Sequence, residues 1–159
     1  MTASPSPNRL LPDFSITIEL PILWGDQDAF GHVNNTVPIR WFESARIAYL
    51  ERSGMEALLR AEGAASILAA VNCNYRLQLH YPDTVHVGCR ISRLGGSSLT
   101  MEQAVYSVGH QAIAADGSAT IVIFDYQANC PQQISDNLRT LAEQVEAMGD
   151  MRMASGDDH

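Results

Sequence analysis

Two aspartates, Asp26 and Asp28, stand two residues apart in the stretch 24–35, which reads Trp-Gly-Asp-Gln-Asp-Ala-Phe-Gly-His-Val-Asn-Asn. Its glycines and Asx residues favour turns, so both carboxylates are expected on a loop. From Thr36 to about Ser53 apolar residues recur at three- and four-residue spacing, which predicts a helix directly after that loop. The first N–H groups of a helix have no intrahelical partner and, with the helix dipole, create positive potential that favours an ionised Asp. The same amides can polarise a carbonyl and hold the oxyanion that develops when it is attacked. A carboxylate beside an oxyanion donor is equipment for acyl transfer. Gly31 would let backbone approach a ligand with no Cβ in the way.

Each of these residues also has a structural reading. Asp28 is of a type that often only closes a turn. Asp26 is expected to accept loop hydrogen bonds or to pair with a helix arginine. Glu43, two turns into the helix, is the rival carboxylate, although an ion pair with Arg40 or Arg46 at helical spacing is the expected use of its charge. His32 is expected in a supporting role, and Asn34 and Asn35 as helix caps, with Asn35 acting through its backbone. His80, His86 and His110 have no paired metal-ligand spacing, so no metal is expected. No Ser or Cys stands in a nucleophile-elbow pattern.

The elements that must position the loop follow from periodicity. Phe14, Ile16, Ile18, Leu20 and Ile22 alternate with polar residues or Pro21, which predicts a strand with Pro21 at an edge or end. In the helix, Val37, Trp41, Phe42, Ala45, Ala48 and Tyr49 form an apolar face that Ile39, Ile47 and Leu50 broaden, so a central helix covered on most sides is expected. Pro38 fits its first turn and Gly54 its stop. A weaker helix follows over Met55–Glu62. Alternation then predicts strands over Ala69–Leu79, Val85–Ile91 and Leu99–Val108, with a turn at Tyr81-Pro82-Asp83 and a tight reversal at Gly95-Gly96-Ser97-Ser98. Gln111–Tyr126 reads as one long strand or as two divided at Asp116-Gly117. A last helix is expected over Asp136–Met148, capped by Ser135 and stopped by Gly149. The order is that of an antiparallel α+β layer, not of a doubly wound sheet.

At 159 residues the chain fits one domain, expected over 13–149 between a flexible N-terminus, 1–12, and a flexible acidic tail, 150–159. Three cysteines without C-x-x-C spacing point to a reducing compartment. The Pro- and Ser-rich start lacks the order of a signal peptide, and no apolar run is long enough to span a bilayer; a cytoplasmic protein that does not enter membranes is expected. A net charge of −8 argues against nucleic acid. There is no Lys, so an anion site must use Arg forks or backbone amides.

The run Gly25 to Asn35, followed by Arg40-Trp41-Phe42-Glu43 and Ala45-Arg46, resembles the signature of bacterial acyl-CoA thioesterases related to 4-hydroxybenzoyl-CoA thioesterase. Tyr81-Pro82-Asp83-Thr84, the turn at Gly96-Ser97-Ser98, and Phe124-Asp125 extend the likeness over most of Phe14–Met148. The resemblance implies a hotdog fold, an antiparallel sheet wrapped around a long central helix, and hydrolysis of an acyl-CoA thioester without metal or organic cofactor. It places the catalytic carboxylate, as nucleophile or general base, on Asp28, and the amide that polarises the thioester carbonyl near Asn35. Gly31, His32, Val33 and Asn34 of the same loop are the expected substrate-binding residues, and the resemblance implies homodimers, often paired into homotetramers, with sites at the subunit interface. Pro38 departs from the family's common Tyr. Gly95 and Gly96 stand where the 4-hydroxybenzoyl-CoA enzyme places basic residues against CoA phosphates. Backbone amides at Gly96, Ser97 and Ser98 can form an anion nest instead, with Arg90 and Arg93 nearby, and the carrier can be CoA or acyl carrier protein. The rival readings are a non-catalytic acyl-CoA-binding or regulatory hotdog domain, and a dehydratase or hydratase, for which no acid-base pair stands out.

Overall fold

The computed structural model describes residues 10–154, with side chains over 10–149; most of the expected flexible N-terminus and residues 155–159 of the expected tail lie outside it. Six strands form one antiparallel sheet: β1 (Ile16–Pro21), β2 (Ala65–Tyr75), β3 (Thr84–Leu94), β4 (Ser98–Ser107), β5 (Ala112–Asp125) and the short β6 (Cys130–Pro131). The order across the sheet is β1-β3-β4-β5-β2, with β6 on β5. Three helices accompany it: α1 (Val37–Ser53), α2 (Met55–Ala61) and α3 (Asp136–Ala154).

The sheet curls around α1, which is the hotdog architecture. Alternation along β3 turns Val85, Val87, Cys89 and Ile91 inward, and β4 and β5 add Leu99, Met101, Val105, Ala119, Ile121 and Ile123. Phe42, Ala45 and Tyr49 of α1 are fully buried against them. Fully burying one such large apolar side chain contributes about 1.5–3 kcal/mol, so this shared core fixes the helix in its trough. Gly54, at φ +80°, closes α1 in the left-handed region, as its type predicts.

The expected cover on most sides of α1 holds only in part. Arg40, Glu43, Ser44 and Ile47 form an exposed flank, with Ile47 at 49%. Gln111–Tyr126 resolves into one strand, with its register shift against β4 at Val105/Tyr106 rather than a break at Asp116-Gly117. Gly117 is needed for another reason: a Cβ there would sit 2.0 Å from the Asn72 carbonyl oxygen of β2. β2 starts and ends four residues earlier than its alternation suggests, because a bulge between Leu68 and Ala70 resets the faces. Leu77 and Leu79 lie beyond its end.

Ser135 caps α3 by accepting the Leu138 N–H at 3.1 Å, but the helix continues through Gly149 to Ala154. A glycine in a helix costs about 1 kcal/mol relative to alanine, which does not stop a helix held elsewhere. Glu146 supplies one such hold. Its carboxylate accepts the Tyr49 hydroxyl at 2.5 Å and the Ile91 N–H at 2.8 Å, and also the Ser15 hydroxyl. α3 is thereby tied to α1, to β3 and to the segment leading into β1.

Candidate active site

The loop between β1 and α1 is built around Asp26, which is buried. Its Oδ2 accepts the Leu23 N–H at 2.8 Å, its carbonyl accepts the Asn34 N–H at 2.8 Å, and its Oδ1 lies 3.5 Å from the Arg40 guanidinium. It is the structural carboxylate, as its position beside a helix arginine suggests. Asp28 bonds to the loop through its own backbone, donating its N–H to the His32 carbonyl at 2.8 Å and accepting from Gly31 N–H at 3.0 Å. The side-chain Oδ1 accepts the Phe30 N–H at 2.8 Å, a two-residue Asx turn. Its Oδ2 accepts no protein hydrogen bond among the described residues.

Gly31 has φ +78°, with open space where a Cβ would lie, so its role in the loop is conformational. Its carbonyl sits 2.9 Å from His80 Nδ1, which must carry the proton because a carbonyl oxygen only accepts. The His32 and His80 rings meet edge to face at 5.1 Å. Val33 donates its N–H to the Leu79 carbonyl at 2.8 Å, fastening the loop to the segment after β2. His80, unremarkable by spacing, is thus a scaffold of the loop.

The helix begins one residue later than the Asn pair suggests, with Thr36 as N-cap. Asn34 does the capping chemistry: its Oδ1 accepts the Thr36 N–H at 3.0 Å and its carbonyl accepts the Val37 N–H at 3.0 Å. Pro38 has no N–H to satisfy. The Asn35 carbonyl accepts the Tyr75 hydroxyl, whereas its N–H finds no protein acceptor among the described residues.

Asp28, His32, Val33, Asn35 and Pro38 line a cleft of about 330 Å³, closed on the sheet side by Tyr75, Leu77, Leu79, Ala114 and Ala115. Arg76 stands at its edge, its fork held by Asp116 at 2.8 and 3.1 Å. That pairing holds the Asp116 carboxyl below its usual range. Nothing in the spacing of Tyr75, Arg76 or Ala114 marked them, because β2 and β5 bring them to the loop only when the sheet forms. Among the described residues no group of three His, Cys, Asp or Glu could hold a metal ion. No helix there is long and apolar enough to cross a membrane.

The other sequence-derived candidates lie elsewhere in the chain. Arg90 follows buried Cys89 and so points from the outer face, where Glu102 takes its guanidinium at 2.9 and 2.5 Å and Phe14 lies beneath it at 5.6 Å. Arg93, Gly96, Ser97 and Ser98 surround the β3–β4 turn. Ser98 pairs with Val122, seven residues along β5 from Ala115 in the cleft, a separation of ~24 Å at 3.4 Å per residue. Within the chain the turn is therefore not brought to Asp28. Glu43 forms no ion pair among the described residues: Arg40 goes to Asp26, and Arg46 is buried with its Nη1 3.2 Å from Gln103 Oε1. Burial lowers the Arg46 pKa.

Comparison with known proteins agrees with this architecture. The chain is 26% identical over 118 residues to the long-chain acyl-CoA thioesterase FadM of Escherichia coli, covering 74% of this chain and 89% of that protein. It is 28% identical over 88 residues to YsmA of Bacillus subtilis, a match that spans 55% of this chain and only 58% of YsmA. A crystal structure of a Thermus thermophilus thioesterase complexed with coenzyme A and zinc superposes with a TM-score of 0.75 at 28% identity, covering 85% of this chain and 96% of that one. The family model of the thioesterase-like superfamily matches residues 22–145. With its curled sheet, central helix and Asp-bearing loop, the chain belongs to the thioesterase-like superfamily and is a hotdog-fold thioesterase.

Proposed function

We propose that the protein hydrolyses an acyl-CoA thioester to the free acid and CoA, with Asp28 as the catalytic carboxylate and the Asn35 N–H as oxyanion donor. One observation carries this reading: Asp28, with one carboxylate oxygen that accepts no protein hydrogen bond, and Asn35, whose N–H has no protein acceptor among the described residues, line the same cleft. A thioester carbonyl seated between them meets the donor at its oxygen and the carboxylate at its carbon. Asp28 then either attacks the carbon, expelling the CoA thiolate and leaving a mixed anhydride for water to open, or takes a proton from the water that attacks. The Asx turn to Phe30 holds one carboxylate oxygen and leaves the other for this work. Names of relatives, a long-chain acyl-CoA thioesterase and a thioesterase bound to coenzyme A, support the substrate class.

The working unit in this reading is a homodimer made through β2. That strand is an 11-residue edge with its outer N–H and C=O groups unpaired within the sheet, and Leu68, Tyr75 and Leu77 are exposed along or just beyond it. Antiparallel pairing of two β2 strands about a two-fold axis satisfies both edges and brings the β3–β4 turn of one subunit toward the cleft of the other. The backbone amides at Gly96, Ser97 and Ser98, with Arg93, are then placed for the nucleotide end of CoA.

The test is thiol release from short, long and aromatic acyl-CoA substrates and from acyl carrier protein thioesters, which present the same pantetheine arm. Turnover of an acyl-CoA supports the proposal. Release from none of them, with binding retained, would identify a non-catalytic acyl-CoA-binding domain.

A further inference from the structure

The outer face of the sheet carries polar groups that the Asp28 cleft does not use. Val85 and Val87 turn inward from β3, so Thr84, His86 and Gly88 turn outward, and inward Ile16 and Ile18 leave Thr17 and Glu19 outward on β1. The strand registers set Glu19, His86 and Tyr106 side by side across β1, β3 and β4. Leu11 is buried and Phe14 lies over Gly88, where a Cβ would meet its ring at 2.5 Å, so the segment before β1 is seated on this face. Beside it is a cavity of about 220 Å³, walled by Leu10 and Val108 and lined by Glu19, Thr84, His86, Tyr106 and Gln111.

His86 is only 3% exposed, yet its imidazole makes no hydrogen bond among the described residues. Its Nδ1 and the Thr17 Oγ1, on the same face, are the two buried side-chain polar atoms there without a partner. Its Nε2 stands 3.7 Å from Glu19 Oε2, too far for a direct hydrogen bond. The side chains of Thr84, Tyr106 and Gln111 also bond to no protein group among the described residues. Five unbonded polar side chains around one cavity are unusual, because buried polar groups are normally paired. The space also far exceeds the ~30 Å³ of one water.

We infer that this cavity binds a small aliphatic primary ammonium ion, on the face of the sheet opposite the Asp28 cleft. An ammonium nitrogen about 2.8–3.0 Å from both Nε2 and Oε2 spans the gap between them, donating to the carboxylate and to the imidazole lone pair. No protein bond fixes the His86 tautomer, so Nε2 is free to present that lone pair. The third N–H is left for an oxygen of Thr84, Tyr106 or Gln111. Glu19 is the only formal charge lining the cavity, and Arg90, farther along the same face, is already held by Glu102. A cation is therefore favoured and an anion refused, and the bond to Glu19 is of the stronger, charge-assisted kind. Leu10 and Val108 cover a short carbon stem. The inference does not rest on the thioesterase reading, since the two sites share no residue.

The test is an NMR titration of the isotopically labelled full chain with n-butylammonium chloride. Saturable shifts are expected at the His86 imidazole and at the amides of Thr84, Tyr106 and Gln111. Shifts spread over the acidic surface without saturation, or none at these residues, overturn the inference. Two other probes separate the chemistry: n-butanol keeps the stem and loses the charge, and tetramethylammonium keeps the charge and loses every N–H. Each should bind at least about tenfold more weakly, the worth of a charge-assisted hydrogen bond. Equal binding of either probe refutes an ammonium site. Glu19→Gln removes the charge at an exposed position and should weaken n-butylammonium by about tenfold or more; unchanged affinity overturns the proposal. His86→Phe should abolish the saturable shifts, and Glu19→Gln with the two probes decides alone if that variant does not fold. Asp28→Asn should bind n-butylammonium as the wild type does, whatever its effect on turnover. Loss of binding in Asp28→Asn would place the ion in the cleft and overturn the outer-face site, without bearing on whether Asp28 is catalytic.

Discussion

Replacing Asp28 by Asn separates the chemical role of the carboxylate from its structural one. The Asp28 Oδ1 accepts the Phe30 N–H at 2.8 Å, and an Asn side-chain oxygen accepts it equally. The backbone bonds from Asp28 to His32 and from Gly31 to Asp28 do not involve the side chain. Folding stability should therefore stay within about 0.5 kcal/mol of wild type, as for surface substitutions that break no special feature. Asp28→Ala, by contrast, leaves the Phe30 N–H without its acceptor and should cost about 1 kcal/mol, the net worth of one hydrogen bond. The catalytic loss in Asp28→Asn is much larger. A positioned general base contributes roughly 10²–10⁴ in rate, or about 2.7–5.4 kcal/mol of barrier at 1.36 kcal/mol per decade. The Asn35 amide and the cleft walls survive the change, so substrate affinity should be close to unchanged and the loss should fall on kcat. Steady-state thiol release, with a thermal melt on the same sample, reads both quantities. Glu43→Gln serves as control and should hurt less, since Glu43 lies outside the residues lining the cleft. Near wild-type turnover in Asp28→Asn together with abolition in Glu43→Gln would refute the assignment and move the chemistry to the helix.

Burial and the Glu146 carboxylate raise the Tyr49 pKa, so the folded state disfavours its phenolate. The stability this carries is fully present below pH ~10 and is lost above it at about 1.4 kcal/mol per pH unit; denaturant titrations across that range should flatten in Tyr49→Phe. Cys89 is fully buried and its pKa is raised by burial, Cys73 is half-buried and also raised, and Cys130 is exposed. A thiol reagent at mildly alkaline pH should modify Cys130 first and leave Cys89 untouched until denaturant is added, as mass spectrometry of the labelled peptides would reveal. Gly117→Val should destabilise by at least about 1–3 kcal/mol, the usual cost of overpacking, because its Cβ meets backbone 2.0 Å away; an unchanged denaturation midpoint would contradict the β2–β5 register. Sedimentation equilibrium at low concentration, with turnover measured on the same sample, should find a dimer, and a fully active monomer would remove the shared site.

Part of this molecule is determined by local chemistry that a single chain displays. The left-handed stop of α1 at Gly54 follows from residue type and needs no distant contact. The helix after the Asp-bearing loop and the inward row Val85, Val87, Cys89 and Ile91 follow from spacing, and so does the Ser135 cap of α3. Residue type alone left Asp28 a turn residue and Asn35 a helix cap, and it was the resemblance that singled them out; the structure sets both along one cleft. Tertiary structure decided the rest. Alternation could not locate the bulge at Leu68/Ala70, because a bulge is a relation between two strands. Nor could spacing forecast that Gly149 would sit inside a helix, since Tyr49, Ile91 and Ser15 hold that helix through Glu146 from distant parts of the chain. Tyr75, Arg76 and Ala114 became walls of the cleft only through sheet pairing, and Arg90 was drawn to Glu102 on the outer face. The sequence by itself determined which groups can do chemistry, because that depends on residue type and near neighbours; which distant groups stand around them depends on packing, and only the folded sheet decided it.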